Sequence, residues 1–138
     1  MALRFAQIVV DSHDIKAQAA FWAEVLGYHV WWDQEGEVEI GPGEREPDDL
    51  ADRMRQAPVV PTIIFVPVPE GKTVKNRLHI DVRPTGTQDE EVQRMLGLGA
   101  RIVDVGQGDA SWVVLADPEG NEFCVLSPLP ASSSPPIG

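Results

Sequence analysis

Apolar and polar positions divide this chain into two halves with the same order of elements. Residues 4–10 read as a strand. Asp14 then stands as the N-cap of a helix over about 15–26, with Gly27 as its left-handed stop. Residues 28–33 and 36–41 read as two strands joined by a turn at Gly36. Pro47 opens a short acidic helix over 47–56, and 61–68 is a β-rich apolar run. After a connector at 69–76 the order repeats. A strand at 77–83 is followed by a helix with Thr87 and Glu90 as a capping box, ending at Gly97 or Gly99. Strands follow near 101–105, 111–116 and 121–127.

The halves align when the chain is shifted by 72 residues, Gln7 falling on His79. Ile8 then meets Ile80, Val10 meets Val82, Leu26 meets Leu98 and Gly27 meets Gly99. Such a repeat implies two copies of one supersecondary unit. Few helices among many strands, ordered βαβββ twice, predict an α+β fold: paired βαβββ modules forming a curled mixed sheet around a cavity, with helices on the outer face. The expected organisation is a single domain over 1–129, with modules at about 4–68 and 77–127. The tail 130–138, rich in Ser and Pro, is expected to be disordered.

Two strands carry polar groups that core packing does not require. In 117–126 a Pro-Glu-Gly-Asn turn runs into Glu122-Phe123-Cys124-Val125-Leu126. Side chains alternate along a strand, so Phe123 and Val125 share one face and Glu122, Cys124 and Leu126 the other. In 76–82, Leu78, Ile80 and Val82 form an apolar face, while His79 and Asp81 point away from it. A buried carboxylate is costly unless paired or coordinated, so these positions suggest chemistry.

Composition narrows the options. The 138 residues carry a formal net charge of −11, and more than half of it lies in the acidic segment 33–55. That balance argues against nucleic-acid and anionic-membrane partners, which call for a basic footprint. A lone Cys124 excludes an internal disulfide and fits a reducing cytoplasm. The N-terminus shows no signal-peptide pattern, and no apolar run approaches the roughly 18 residues of a membrane span. No phosphate-binding or dinucleotide-binding glycine motif occurs, so no nucleotide cofactor is expected.

Several segments together resemble the vicinal oxygen chelate superfamily, the glyoxalase, bleomycin-resistance and dioxygenase group, and above all its small glyoxalase-like domains. They are Val9-Val10-Asp11 with Asp14, Phe21-Trp22, Leu26-Gly27-Tyr28, Lys75–Asp81, Leu98-Gly99-Ala100 and Asp117–Leu126. The resemblance implies a cavity with metal ligands from the first and last strands of each module. Carried onto this chain, those positions are Gln7, His79 and Glu122. The fourth falls on 61–68, which holds no acid, His or Gln. The resemblance also implies a small-molecule ligand or substrate and a homodimer.

Two readings of these residues stay open. In one, Gln7, His79 and Glu122 hold a divalent metal, and Glu122 moves a proton in lyase or isomerase chemistry on a small carbonyl or diol-like molecule. In the other, His79 and Glu122 pair by a hydrogen bond in a metal-free cavity that binds or sequesters an aromatic compound. One of Trp31 and Trp32, adjacent on a strand and so expected on opposite faces, would wall that cavity with Trp112 and Phe65. Cys124 either lines the cavity or packs as a small hydrophobe. Asp81 can orient a base or pair with a cation. Asp11 has the same standing. Lys72, Lys75 and Arg77 form a basic cluster that reads as an exposed linker or an anion site. His13 and His29 read as surface residues.

Overall fold

The computed structural model describes residues 3–34, 36–103 and 111–130. The predicted tail from 131 onward, and 104–105 of the predicted strand 101–105, lie outside the described residues. The chain forms two compact units, Met1–Thr73 and Val74–Gly138, and the boundary falls inside the predicted connector.

The first unit runs β1 (Gln7–Ser12), α1 (Ile15–Leu26), β2 (His29–Gln34), β3 (Glu37–Gly41), α2 (Leu50–Gln56) and β4 (Thr62–Pro67). The second runs β5 (Ile80–Val82), α3 (Gln88–Gly97), β6 (Arg101–Ile102), β7 (Val113–Ala116) and β8 (Glu122–Val125). Each unit is a four-stranded sheet, ordered β1-β4-β3-β2 in one and β5-β8-β7-β6 in the other. In both, the first and last strands pair in parallel and the remaining pairs are antiparallel. The repeat expected from the 72-residue shift is therefore present strand for strand, while α2 of the first unit has no counterpart among the described residues of the second.

Caps set the helix ends. Asp14 accepts from the Ala17 amide at 3.1 Å, and Gly27 closes α1 at φ 68°. Thr87 accepts from the Glu90 amide at 3.3 Å, satisfying one of the orphan donors at the start of α3. In the first unit α1 buries Ala19, Phe21 and Trp22 against the sheet residues Val38, Ile40, Ile63 and Phe65. Phe21 and Trp22 meet edge to face with ring centres 5.4 Å apart. In the second, Phe123, Val125 and Leu115 are buried, as are Val92 and Met95 of α3. Leu78, expected in that apolar face, precedes β5 and is 87% exposed.

The acidic segment is held in solvent by its own pairs. Arg45–Asp48, Arg53–Asp49 and Arg55–Asp52 are all exposed ion pairs. Pairs of this kind contribute little to stability. No described helix is long and apolar enough to cross a membrane.

Candidate functional site

Register in the second sheet places the polar residues that the sequence singled out. Ile80 pairs with Phe123 and Val82 with Val125, which turns these four toward the core. Asp81 pairs with Cys124, and Cys124 with Val114 on its other side. These three share the opposite face. His79 and Glu122 continue that face one step before Asp81 and Cys124 respectively, so the four polar positions form a two-by-two block. The block lies in a cavity of about 450 Å³ whose walls also include Lys75, Trp112, Val114 and Leu126.

Glu122 is held by the turn before it. Asp117, 1% exposed, accepts from the Glu119 and Asn121 amides, each at 3.0 Å. Gly120 supplies the left-handed residue at φ 91°. Asn76 then ties the connector to this turn. Its side chain donates to the side-chain oxygen Oδ1 of Asn121 at 3.0 Å, and its backbone amide donates to Glu122 Oε2 at 3.1 Å. At the far end of β8, the Gln88 amide group donates to the carbonyls of Ser111, Val125 and Leu126, fixing the approach to Trp112.

His79 Nε2 lies 3.2 Å from Asp81 Oδ1, with both side chains about half exposed. His79, Asp81 and Cys124 each offer a ligand atom, and these atoms lie within 4.8 Å of one another. The Cys124 thiol is pushed above its ordinary value, first by burial, then by the negative charge of Asp81 and a hydrogen bond to it, while Lys75 pulls the other way. Cys124 is thus both the buried small side chain and the cavity-lining residue that the sequence offered as alternatives. Asp81 faces His79 and the thiol. Of the basic cluster, Lys75 lines the cavity, while Lys72 and Arg77 do not. The sequence missed this combination, because the pairing of Asp81 with Cys124 is a property of register between strands remote along the chain.

The first sheet places the other candidates. Gln7 is exposed at the start of β1 and pairs with Thr62. Thr62 therefore holds the β4 position equivalent to Glu122. Its hydroxyl donates to Glu39 Oε2 at 2.7 Å, so a carboxylate from β3 stands where β4 itself has none. Asp11 is exposed on β1. Trp31 and Trp32 do not face opposite ways. The register shifts between Val30 and Trp32, so Trp32 pairs with Glu39, and the Trp31 ring packs where a side chain at Gly41 would stand. Both indoles thus lie on the face away from α1, and Trp31 Nε1 donates to the Gly43 carbonyl at 2.6 Å. Phe65, expected as a cavity wall, is instead fully buried in the core of the first unit, in register with Val38.

The profile of the Glyoxalase-like domain matches residues 7–126. No curated protein sequence matches the chain. Among solved structures, the chain is similar to a variant of the fosfomycin resistance protein FosX from Listeria monocytogenes complexed with Mn(II) and 1S,2S-dihydroxypropylphosphonic acid. The TM-score is 0.61 at 13% identity, covering 94% of this chain and 93% of that one. A glyoxalase/bleomycin resistance protein/dioxygenase family enzyme from Burkholderia phytofirmans gives 0.59 at 19% identity, covering 87% and 94%. A putative glyoxalase from Bacillus halodurans gives 0.58 at 16%, covering 88% and 93%. These likenesses establish the fold. The profile match over nearly all of the described chain, with the doubled βαβββ topology, makes this protein a member of the Glyoxalase-like domain family within the vicinal oxygen chelate superfamily.

Proposed function

We propose that the cavity of the second unit holds a divalent metal and acts on a small carbonyl or diol-like molecule by lyase or isomerase chemistry. The observation that carries this reading is the block of His79 and Glu122 beside Asp81 and Cys124, all lining one cavity. An imidazole nitrogen and a carboxylate are donors that divalent cations take, so the residues fit such an ion. His79 and Glu122 would hold it. A metal bound there would polarise a substrate oxygen. Gln7, by the position that the family resemblance assigns to it, is the remaining candidate donor. The FosX structure with Mn(II) and a dihydroxypropylphosphonic acid supports the substrate class by analogy of fold.

The chain's own groups supply the rest. Glu122 is oriented by the Asn76 amide, so one oxygen is committed and the carboxylate is placed to take or return a proton at a bound molecule. Lys75 provides a positive charge at the wall, suited to an anionic substituent. Trp112, Val114 and Leu126 give that wall its apolar area. The apolar area also favours a second reading, a cavity that binds an aromatic compound without a metal. A reducing cytoplasm is the compartment that both readings assume.

Metal analysis of the purified protein, followed by turnover of a carbonyl and diol panel, separates the two. Turnover that disappears with a chelator, returns with added metal and is lost in His79→Ala and Glu122→Gln supports the enzyme. Absence of metal uptake and turnover, with chelator-insensitive quenching of Trp fluorescence by a planar ligand, overturns it in favour of binding.

A further inference from the structure

We infer that Cys124 is a metal ligand, and that His79, Asp81 and Cys124 form a thiolate-containing site selective for a thiophilic divalent cation such as zinc. The inference rests on the reading of a metal in this cavity, but replaces Glu122 in the ligand set with Asp81 and Cys124 and leaves Glu122 to the proton transfer. A site with only imidazole, amide and carboxylate donors accepts Mn(II) or Mg(II) readily, whereas a thiolate shifts preference toward zinc.

Geometry carries the argument. Zinc–sulfur bonds of about 2.3 Å and zinc–nitrogen or zinc–oxygen bonds of about 2.0–2.2 Å, set at tetrahedral angles, place donor atoms roughly 3.4–3.6 Å apart. His79 Nε2 and Asp81 Oδ1 are already 3.2 Å apart. All three donor atoms lie within 4.8 Å of one another, near the separation that a tetrahedral ion requires. Backbone register holds the donors there. Asp81 and Cys124 are cross-strand partners in the parallel pair β5–β8, and His79 lies two residues from Asp81 on the same face. The site is also open on one side: His79 and Asp81 are about half exposed while Cys124 is buried. Three protein ligands with one accessible position is the pattern of a catalytic zinc site rather than a structural one. Glu122, next to Cys124 on β8, remains beside that open position with one oxygen on the Asn76 amide.

Binding breaks the Cys124 S–H bond and forms a sulfur–metal bond, and the proton passes to solvent. No oxidant or second reactant is needed.

Cobalt(II), a spectroscopic stand-in for zinc, tests this on the full chain. Wild-type protein titrated with Co(II) should develop an intense sulfur-to-cobalt charge-transfer absorption in the near ultraviolet, reversed by added Zn(II). Cys124→Ser should abolish that absorption and weaken Zn(II) binding at least about tenfold, as loss of even an outer-shell partner costs 10–100-fold. Mn(II) binding should hardly change in the same variant. Co(II) binding to wild-type protein without the charge-transfer absorption would exclude Cys124 and leave the His79–Glu122 metal reading standing. Failure of wild-type protein to bind Co(II), Zn(II) or Mn(II) would reject both. The wild-type spectrum decides the matter even if the serine variant does not fold.

Discussion

Replacing Asp117 with alanine should damage stability and site together, by an amount that the structure allows to be worked out. The carboxylate is buried and accepts from two backbone amides at 3.0 Å, and Asn121 Nδ2 adds a longer contact at 3.3 Å. Hydrogen bonds to a charged group contribute about 1.5–3 kcal/mol each. Glu119 and Asn121 are only half-buried, so water can replace part of what is lost. The net cost of Asp117→Ala should therefore be about 2–4 kcal/mol. Each kcal/mol lowers the melting temperature by roughly 2–8 °C across domains of 60–250 residues, so the shift should be on the order of 10 °C. Asp117→Asn keeps an acceptor oxygen and should cost about 1 kcal/mol. Calorimetry or circular dichroism measures both. Because the same turn delivers Glu122 to its place, metal affinity of the alanine variant should also fall when measured well below its melting temperature. An alanine variant melting within 1–2 °C of wild type (under about 1 kcal/mol) would show that the turn does not depend on this carboxylate. Equal losses for the alanine and asparagine variants would show that charge, not acceptor geometry, is what matters.

Gly41→Ala should destabilise the first unit by about 1–3 kcal/mol, the usual cost of overpacking, because the new methyl group collides with the Trp31 ring. Denaturant titration with tryptophan emission reads the energy and the displaced indole together, and unchanged values for both would contradict the packing described. For Cys124, burial and Asp81 favour the neutral thiol, so the reactive thiolate should appear only at pH values above those of an ordinary free cysteine. A pH–rate profile of metal-free protein with a disulfide reagent checks this, and a midpoint at or below the ordinary value would refute it. Asp81→Asn removes the charge and should move that midpoint down.

Local patterns carried most of the fold. Asp14 and Thr87 mark helix starts by their own side chains, and Gly27 marks an end by its φ. Alternation along 121–126 separates Phe123 and Val125 from Glu122 and Cys124, as the structure does. What alternation cannot supply is the register between strands far apart in the chain. Trp31 and Trp32 were expected on opposite faces because a regular strand demands it, and one bulge at Val30/Trp32 cancels that demand. Phe65 looked available because an apolar strand reads alike on both faces, yet pairing with Val38 commits it to the core. Asp81 and Cys124 each drew notice on their own strands, but only the parallel pairing of β5 with β8 makes them neighbours. Glu39 escaped notice because it reaches the Thr62 position from an adjacent strand.

The strand order β5-β8-β7-β6 has a consequence for how the cavity comes into being. The last strand made is an interior one, inserted between the first strand of its unit and the third. His79 and Glu122 are 122 − 79 = 43 residues apart, so they become neighbours only after everything between them has been laid down. The β7–β8 hairpin holds Glu122, Cys124 and Val114, but His79 and Asp81 join them only when β5 pairs with β8. A nascent chain halted before residue 122 would lack Glu122 and Cys124 and would leave β5 and β7 each with a bare edge, an invitation to aggregate. A ligand that requires the block can therefore bind only the completed unit, and its binding energy stabilises that whole unit by mass action. A bound ligand would then report that the unit has finished folding, and its release would signal that β8 has left the sheet.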